Sequence, residues 1–339
     1  MQEKKIVAIH HREGSFSDKW IEYCQKNSIE YKLVNCYSSS IVSDLDDCQV
    51  LMWHWHHFEK EAILMARQLI ASLELKGIKV FPNIKTCWHF DDKLGQKYLL
   101  EAINAPMVKS HLFYSKKEAF EWIENTSFPK VFKLRGGASA INVKLIKNRQ
   151  QAKRYAKKAF STGIGVSRTA DLKNKILFFK REKKLLNLLK IVKGVWRVFF
   201  LSEETKDIRE KNYLYAQDFI PNQDNDIRVA VIGNRAFAKK RMVREGDFRA
   251  SGSHNRSYKV EDIPIECIDI AFKIIKKLDA QSIAFDFIFD GEKYLIIELS
   301  YGFSNDDSNS YPGYWDDKLN FISKKVEPEY FMMEDILEK

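Results

Sequence analysis

Cysteine is scarce in this chain of 339 residues: five are present, at Cys24, Cys36, Cys48, Cys87 and Cys267. None forms a C-x-x-C pair and their number is odd. That argues against a disulfide framework or a cysteine zinc site and for a reducing compartment. Long apolar runs are lacking too, and no stretch approaches the roughly 20 residues that span a bilayer. Ile6–Ile9 is too short to be the apolar region of a secretory signal. There is no G-x-S-x-G elbow and no Cys/His nucleophile signature, which removes the usual covalent chemistries. Internal repeats and low-complexity segments are absent. The expectation is a soluble cytoplasmic protein, with peripheral contact at the inner membrane surface left open.

What is present is charge and length. Lys and Arg number 56 against 46 Asp and Glu, a net charge of +10, so an acidic partner fits: a nucleotide, an anionic polymer or a membrane surface. No recognised nucleic-acid motif accompanies the charge, so the charge alone does not point to a nucleic-acid partner. The length exceeds one typical core, and two or three domains are expected.

Residues 4–9, Tyr31–Asn35, Val50–Trp55 and Ile78–Phe81 read as strands. Helical patterns separate them, around Lys19–Lys26 and over Glu59–Lys76, the second closed by Gly77. Strands alternating with helices predict an open α/β domain over residues 1–90. Residues 91–213 change character: helices at Asp91–Ala102, Lys116–Ile123 and Arg149–Phe160, with strands at Val131–Leu134 and Asn142–Ile146. Within this block, 161–213 read as a basic insert. Val166 to Lys211 carry 13 Lys/Arg and 6 Asp/Glu, and Leu177–Lys193 is basic and amphipathic. Residues 214–326 hold strands at Tyr213–Phe219, Asp226–Ile232 and Ala236–Arg241 and a helix at Ile265–Leu278, and 327–339 read as a tail.

The most informative stretch lies beyond that helix. Ser282–Asp290 and Tyr294–Ser300 are short apolar strands joined at Gly291, and each carries an internal acid, Asp286 and Glu298. Carboxylates are rarely buried without a partner. A divalent cation satisfies two facing carboxylates, and hard oxygen ligands favour Mg²⁺, which often also holds phosphate oxygens.

Six segments in order resemble the ATP-grasp superfamily, in particular its branch of ribosomal-protein glutamate ligases and glutathione synthetases. They are Asp92-Lys93-Leu94; Pro129–Leu134 before the small-residue loop Arg135–Ala140; Gln217–Ile220; Asp226–Val229; Arg244–Arg249; and the pair Phe285–Phe287 with Ile297–Leu299. The resemblance covers roughly residues 80–303. It implies an α/β and α+β fold in which two lobes clamp ATP behind the N-terminal α/β domain. The first lobe spans 91–213 and the second, with the metal site, 214–326.

The resemblance also assigns roles. Lys93 and Lys133 would bind phosphates, with Lys97 a rival for the first. Gly136, Gly137, Ala138 and Ser139 would lay backbone N–H groups over them. The backbone of Gln217, Asp218, Phe219 and Ile220 would read the adenine edge. Asp218, Asp224 and Asp226 compete for the ribose, Asp226 being favoured. Arg228, Arg241 and Arg249 would contact the transferred phosphate and the acyl group. Asp286 and Glu298 would hold Mg²⁺, and Ser300 stands where the resembled ligases have Asn.

The implied function is an ATP-dependent carboxylate–amine ligase working through an acyl phosphate. Its acceptor is a small molecule or an anionic glycan or lipid-linked intermediate docked on the basic insert. Two alternatives share the fold: a nucleotide-binding protein without ligase activity and a phosphotransferase. The aromatic stretch Tyr301–Asp317 admits acceptor binding or packing. His54, His56 and His57 admit a metal site or a loop role. His11, Arg12 and Ser15 sit at the ligand-binding edge of the first sheet.

Overall fold

The structure, a computed structural model, describes residues 6–56, 59–136, 142–165, 209–243, 250, 255–303 and 308–338. The basic stretch Leu177–Lys193 therefore lies outside the described residues. Contacts group the chain into two compact units, residues 1–107 with 222–339 and residues 108–221. The larger unit takes in residues 1–90 and most of 214–326.

The larger unit begins with β1 (Val7–His10), α1 (Phe16–Lys26), β2 (Tyr31–Val34), α2 (Ile41–Asp44), β3 (Val50–Trp53), α3 (Lys60–Leu75), β4 (Lys79–Phe81), α4 (Ile84–Cys87) and α5 (Lys93–Ala102). The four strands form a parallel sheet in the order β2-β1-β3-β4. Alternation splits each strand between two cores. Ala8, Leu51, Trp53 and Val80 face α3. Val7, Ile9, Val50, Met52 and Phe81 face α1. Helix α1 starts earlier than the sequence suggests because Ser15 caps it, accepting from the Ser17 N–H.

The smaller unit contains β5 (Ser110–Phe113), α6 (Lys116–Asn125), β6 (Lys130–Lys133), β7 (Val143–Ile146), α7 (Arg149–Ala159), β8 (Ile164–Gly165), β9 (Arg209–Glu210) and β10 (Leu214–Asp218). Its main sheet is antiparallel, in the order β5-β10-β6-β7. Ala119 and Ile123 of α6 and Ala152 and Ala156 of α7 pack on Phe132, Ile146, Leu214 and Ala216. Small residues on the helices let them lie close to the sheet.

The chain then returns to the larger unit with β11 (Asn225–Ile232), β12 (Arg235–Met242), β13 (Arg256–Ser257), α8 (Ile265–Leu278), β14 (Ser282–Phe289), β15 (Tyr294–Ser300), β16 (Tyr314–Asp316), β17 (Phe321–Ile322) and α9 (Pro328–Glu338). The sheet runs β15-β14-β11-β12-β16-β17, with β13 on β12. Helix α8 buries Cys267, Ile268, Ala271, Phe272, Ile274 and Ile275, three and four residues apart, against one face. The other face is divided. Its apolar part, Ala230, Ile232, Phe237 and Ala284, joins the core of the parallel sheet, which is why the two segments form one unit. The segment read as a tail is helix α9, whose Phe331, Met332, Met333 and Ile336 complete that core. All five cysteines are free and buried. Among the described residues, no helix is long and apolar enough to cross a membrane.

Candidate active site

The acidic hairpin forms as its sequence predicts. At its turn the Asp290 carboxylate accepts the backbone N–H groups of Glu292 and Lys293, each at 2.9 Å, and Gly291 takes φ +105°. The register pairs Phe289 with Tyr294, Ile288 with Leu295 and Phe287 with Ile296, but then Asp286 with Glu298. Ile297 is an extra residue, a β-bulge. Its consequence is large, because a one-residue shift turns every later side chain to the opposite face. Without the bulge Glu298 would sit across from Phe285, facing the core. With it, Glu298 stands beside Asp286. The core confirms the geometry: Ile296 and Leu299, three apart, both lie in the same apolar cluster.

Beside this pair the same face collects charge. Asp226 and Arg228 project from β11, and Lys239 and Arg241 are their partners on β12. Arg228 sits opposite Asp286, and Ser300 opposite Ala284. The Arg228 guanidinium forks onto Asp286, Nε to Oδ1 at 2.6 Å and Nη2 to Oδ2 at 2.9 Å. Arg241 forks onto Asp226 with both bonds at 2.6 Å, and its Nη2 also lies 2.9 Å from Asp286 Oδ2. Lys93, buried at the start of α5, places Nζ 3.2 Å from Glu298 Oε1. Asp92 caps this helix, accepting from the Leu94 and Gly95 N–H groups, and so fixes where Lys93 emerges.

Electrostatics follow from burial and pairing. Burial pushes the Asp286 carboxyl upward, but Arg228 and Arg241 outweigh it and hold the group below the usual carboxylate range. Burial raises Asp226, with Arg241 opposing. Burial alone would lower Arg241, and the two carboxylates raise it instead.

The donor set fits a magnesium–phosphate complex. Mg²⁺ commonly takes one or two carboxylates and completes its octahedron with water and phosphate oxygens. Glu298 is one-third exposed, with a side-chain relative accessibility of 34% against 6% for Asp286. A carboxylate has about four lone-pair sites, so Asp286 keeps acceptor capacity beyond its arginine bonds. Ser300 Oγ donates to the Gly302 carbonyl at 2.7 Å, which leaves its lone pairs for a ligand. Among the described residues there is no group of three or more His, Cys, Asp or Glu side chains suited to a metal.

The smaller unit has its own polar face. Lys133, buried on β6, donates to Gln217 Oε1 of β10 at 2.6 Å. Gln217 Nε2 and Tyr215 Oη both reach Ser110 Oγ at 3.2 Å. Asp218 points the other way. It pairs with Lys130 at 2.7 Å and His111 at 3.0 Å on the helix-covered side, so its side chain does not join Lys133. Asp226, favoured for the ribose, is instead locked to Arg241 in the larger unit. Phe219 and Ile220 follow β10 and are half-buried. Gly136 accepts a long bond from Asn142 Nδ2, whereas Gly137, Ala138, Ser139 and Arg249 lie outside the described residues.

Other expectations change. His54 stacks on Phe16 at 4.3 Å and meets Tyr301 edge-on, so it packs and does not chelate; His57 lies outside the described residues. Tyr301 and Trp315 are buried in the cores, which makes much of that aromatic stretch packing. Lys97 pairs with Glu101 at 2.6 Å and does not contact the acids. The sequence reading missed Lys239, which alternation from Arg241 was enough to place, and Gln96, which sits three residues after Lys93 on α5.

Comparison with known proteins finds relatives of this fold. Residues 190–311 match the family model for a RimK-like ATP-grasp domain. A RimK domain ATP-grasp protein from Sphaerobacter thermophilus superposes with a TM-score of 0.57 at 13% identity, covering 98% of this chain and 100% of the other. The D-alanine–D-alanine ligase of Bacillus anthracis gives 0.57 at 12% identity, with 98% and 96% covered. The biotin carboxylase domain of Hydrogenobacter thermophilus 2-oxoglutarate carboxylase, solved with MgADP, ADP and bicarbonate, gives 0.62 at 12% identity, with 100% and 71% covered. No curated protein matches the chain.

Proposed function

We propose that this chain, which has the ATP-grasp fold and matches a RimK-like ATP-grasp domain over residues 190–311, is an ATP- and Mg²⁺-dependent carboxylate–amine ligase. The observation that carries the reading is the shared face of Asp286 and Glu298, brought together by the bulge at Ile297 and bordered by Arg228, Arg241 and Lys93.

In the proposed reaction a substrate carboxylate oxygen attacks the γ-phosphorus of ATP and ADP leaves. The amine then attacks the acyl carbon, the C–O bond to phosphate breaks, and the amine proton is lost to solvent or phosphate. No protein nucleophile is needed, so the protein's task is positioning and charge neutralisation. Asp286, Glu298 and Ser300 would hold Mg²⁺, which neutralises charge on the β- and γ-phosphates. Arg228 has the planar fork suited to a phosphoryl or carboxylate group, and Asp286 orients it. Lys93 neutralises Glu298 in the structure and is placed to turn to phosphate when a cation takes over that carboxylate. Lys133 and Gln217 supply a charge and an amide for the nucleotide.

The net charge of +10 supports an anionic acceptor, a glycan or lipid-linked intermediate among them. ADP release against a panel of carboxylates and amines tests the reading. With an ¹⁸O-labelled carboxylate, label should pass to inorganic phosphate. ADP release with no label transfer and a phosphorylated hydroxyl product would make the protein a phosphotransferase; no ADP release with any pair, despite ATP binding, would leave only a nucleotide-binding protein.

A further inference from the structure

We infer that Gln96 is a positioning residue: it locks the bulge at Ile297 and thereby keeps Glu298 facing Asp286. The metal consequence of this lock rests on the ligase reading above.

Strand β15 is the edge of its sheet, so one row of its backbone groups faces away from β14. In an unbroken antiparallel edge such outward groups recur every second residue. Here they recur at Ile296 and Leu299, three apart, and each is pinned by the protein. The Ile296 N–H donates to the Pro106 carbonyl at 2.9 Å. Leu299 is held at both ends by one side chain: Gln96 Nε2 donates to its carbonyl at 2.8 Å, and its N–H donates to Gln96 Oε1 at 3.4 Å. On β14 the partners of these residues, Phe287 and Phe285, are only two apart. The pins therefore bracket the extra residue, with Glu298 between them.

Gln96 is itself fixed. It is 4% exposed, and its Nε2 also donates to the His89 carbonyl at 3.2 Å. A primary amide matches the Leu299 peptide donor for acceptor, as a neighbouring strand would, so helix α5 supplies one peptide's worth of missing strand. The same helix presents Lys93 to Glu298. One rigid element thus sets both the direction of the acid and its cationic partner. An edge strand without this pin has a competing register, in which β15 closes up by one residue and Glu298 turns to the core side.

The test uses Gln96→Leu in the full chain, with Gln96→Glu as a second variant of nearly the same shape in case the first does not fold. Two quantities are read: amide exchange at Leu299, and Mn²⁺ affinity with ADP present, by electron paramagnetic resonance, beside metal-free ADP affinity. The lock predicts faster exchange at Leu299, Mn²⁺ binding weakened about 10–100-fold, as for loss of other supports behind a ligand, and metal-free ADP affinity unchanged. Unchanged exchange overturns the proposal. So does faster exchange with unchanged Mn²⁺ affinity, and so does an equal loss of ADP and Mn²⁺ affinity, which marks general damage. A wild type that gathers no Mn²⁺ with ADP sinks the ligase reading and the metal half of the proposal, while exchange at Leu299 still decides whether Gln96 locks the strand.

Discussion

The two sheets that carry polar faces solve the same problem differently. In the larger unit, cations are matched by acids in two neighbouring groups, the pair Lys93–Glu298 and the cluster Arg228–Asp286–Arg241–Asp226. In the smaller unit, buried Lys133 bonds to a neutral amide, backed by Ser110 and Tyr215. Breaking a buried ion pair leaves a stranded charge, whereas removing the donor to a buried amide leaves a neutral acceptor unsatisfied, which costs less. The first face therefore couples ligand chemistry to stability, and the second keeps them apart.

The largest effect that sharpens this contrast is expected at Asp286. Asp286→Ala should cost about 3–5 kcal/mol in denaturant unfolding, because two guanidinium groups lose their shared anion. Asp286→Asn and Glu298→Gln should each lower turnover about 10²–10³-fold in an ADP-release assay, with Glu298→Gln the milder on stability because that carboxylate is partly exposed. Equal stability losses at the two acids would break the comparison.

His89 gives the larger unit a second kind of buried polar group, one kept neutral. Among the described residues neither ring nitrogen has a hydrogen-bond partner, and burial pushes its pKa down to about 4. The unfolded chain, titrating near the model-peptide value of 6.5, binds the extra proton between those values. Stability should therefore be complete above about pH 6.5 and decline by about 3 kcal/mol as pH falls toward 4. His89→Leu should flatten that slope in urea melts at stepped pH, and an unchanged slope contradicts the assignment.

Smaller effects belong to the smaller unit. Lys133→Met should raise the KM for ATP about tenfold and lower the unfolding free energy by about 1–2 kcal/mol, less than the loss at Asp286. Asp218→Asn should cost about 1 kcal/mol and leave turnover within about threefold, since its partners Lys130 and His111 lie on the helix-covered side. A large loss of turnover there would return Asp218 to the nucleotide site.

Much of this was legible in the sequence because it depends on local pattern. Short apolar runs announced the strands at Asp226–Ile232, Ser282–Asp290 and Tyr294–Ser300, the acids inside the last two announced a paired site, and the Gly77 stop announced a helix end. The facing of Asp286 and Glu298 was expected, but its cause was not: a bulge is decided by backbone partners, Gln96 and Pro106, roughly 200 residues away in sequence. That the Asp218 side chain turns away from its chain neighbour Gln217, to Lys130 and His111, follows from strand alternation, which separates adjacent residues. Helix α9 was read as a tail because its apolar residues gain their value only against Phe237 and the first sheet.

The most direct test of the central claim is Mn²⁺ binding in the presence of ADP, measured for the wild type and for Glu298→Gln. The account predicts a nucleotide-dependent site in the wild type, weakened about tenfold or more in the variant. Equal affinity in both proteins would contradict it.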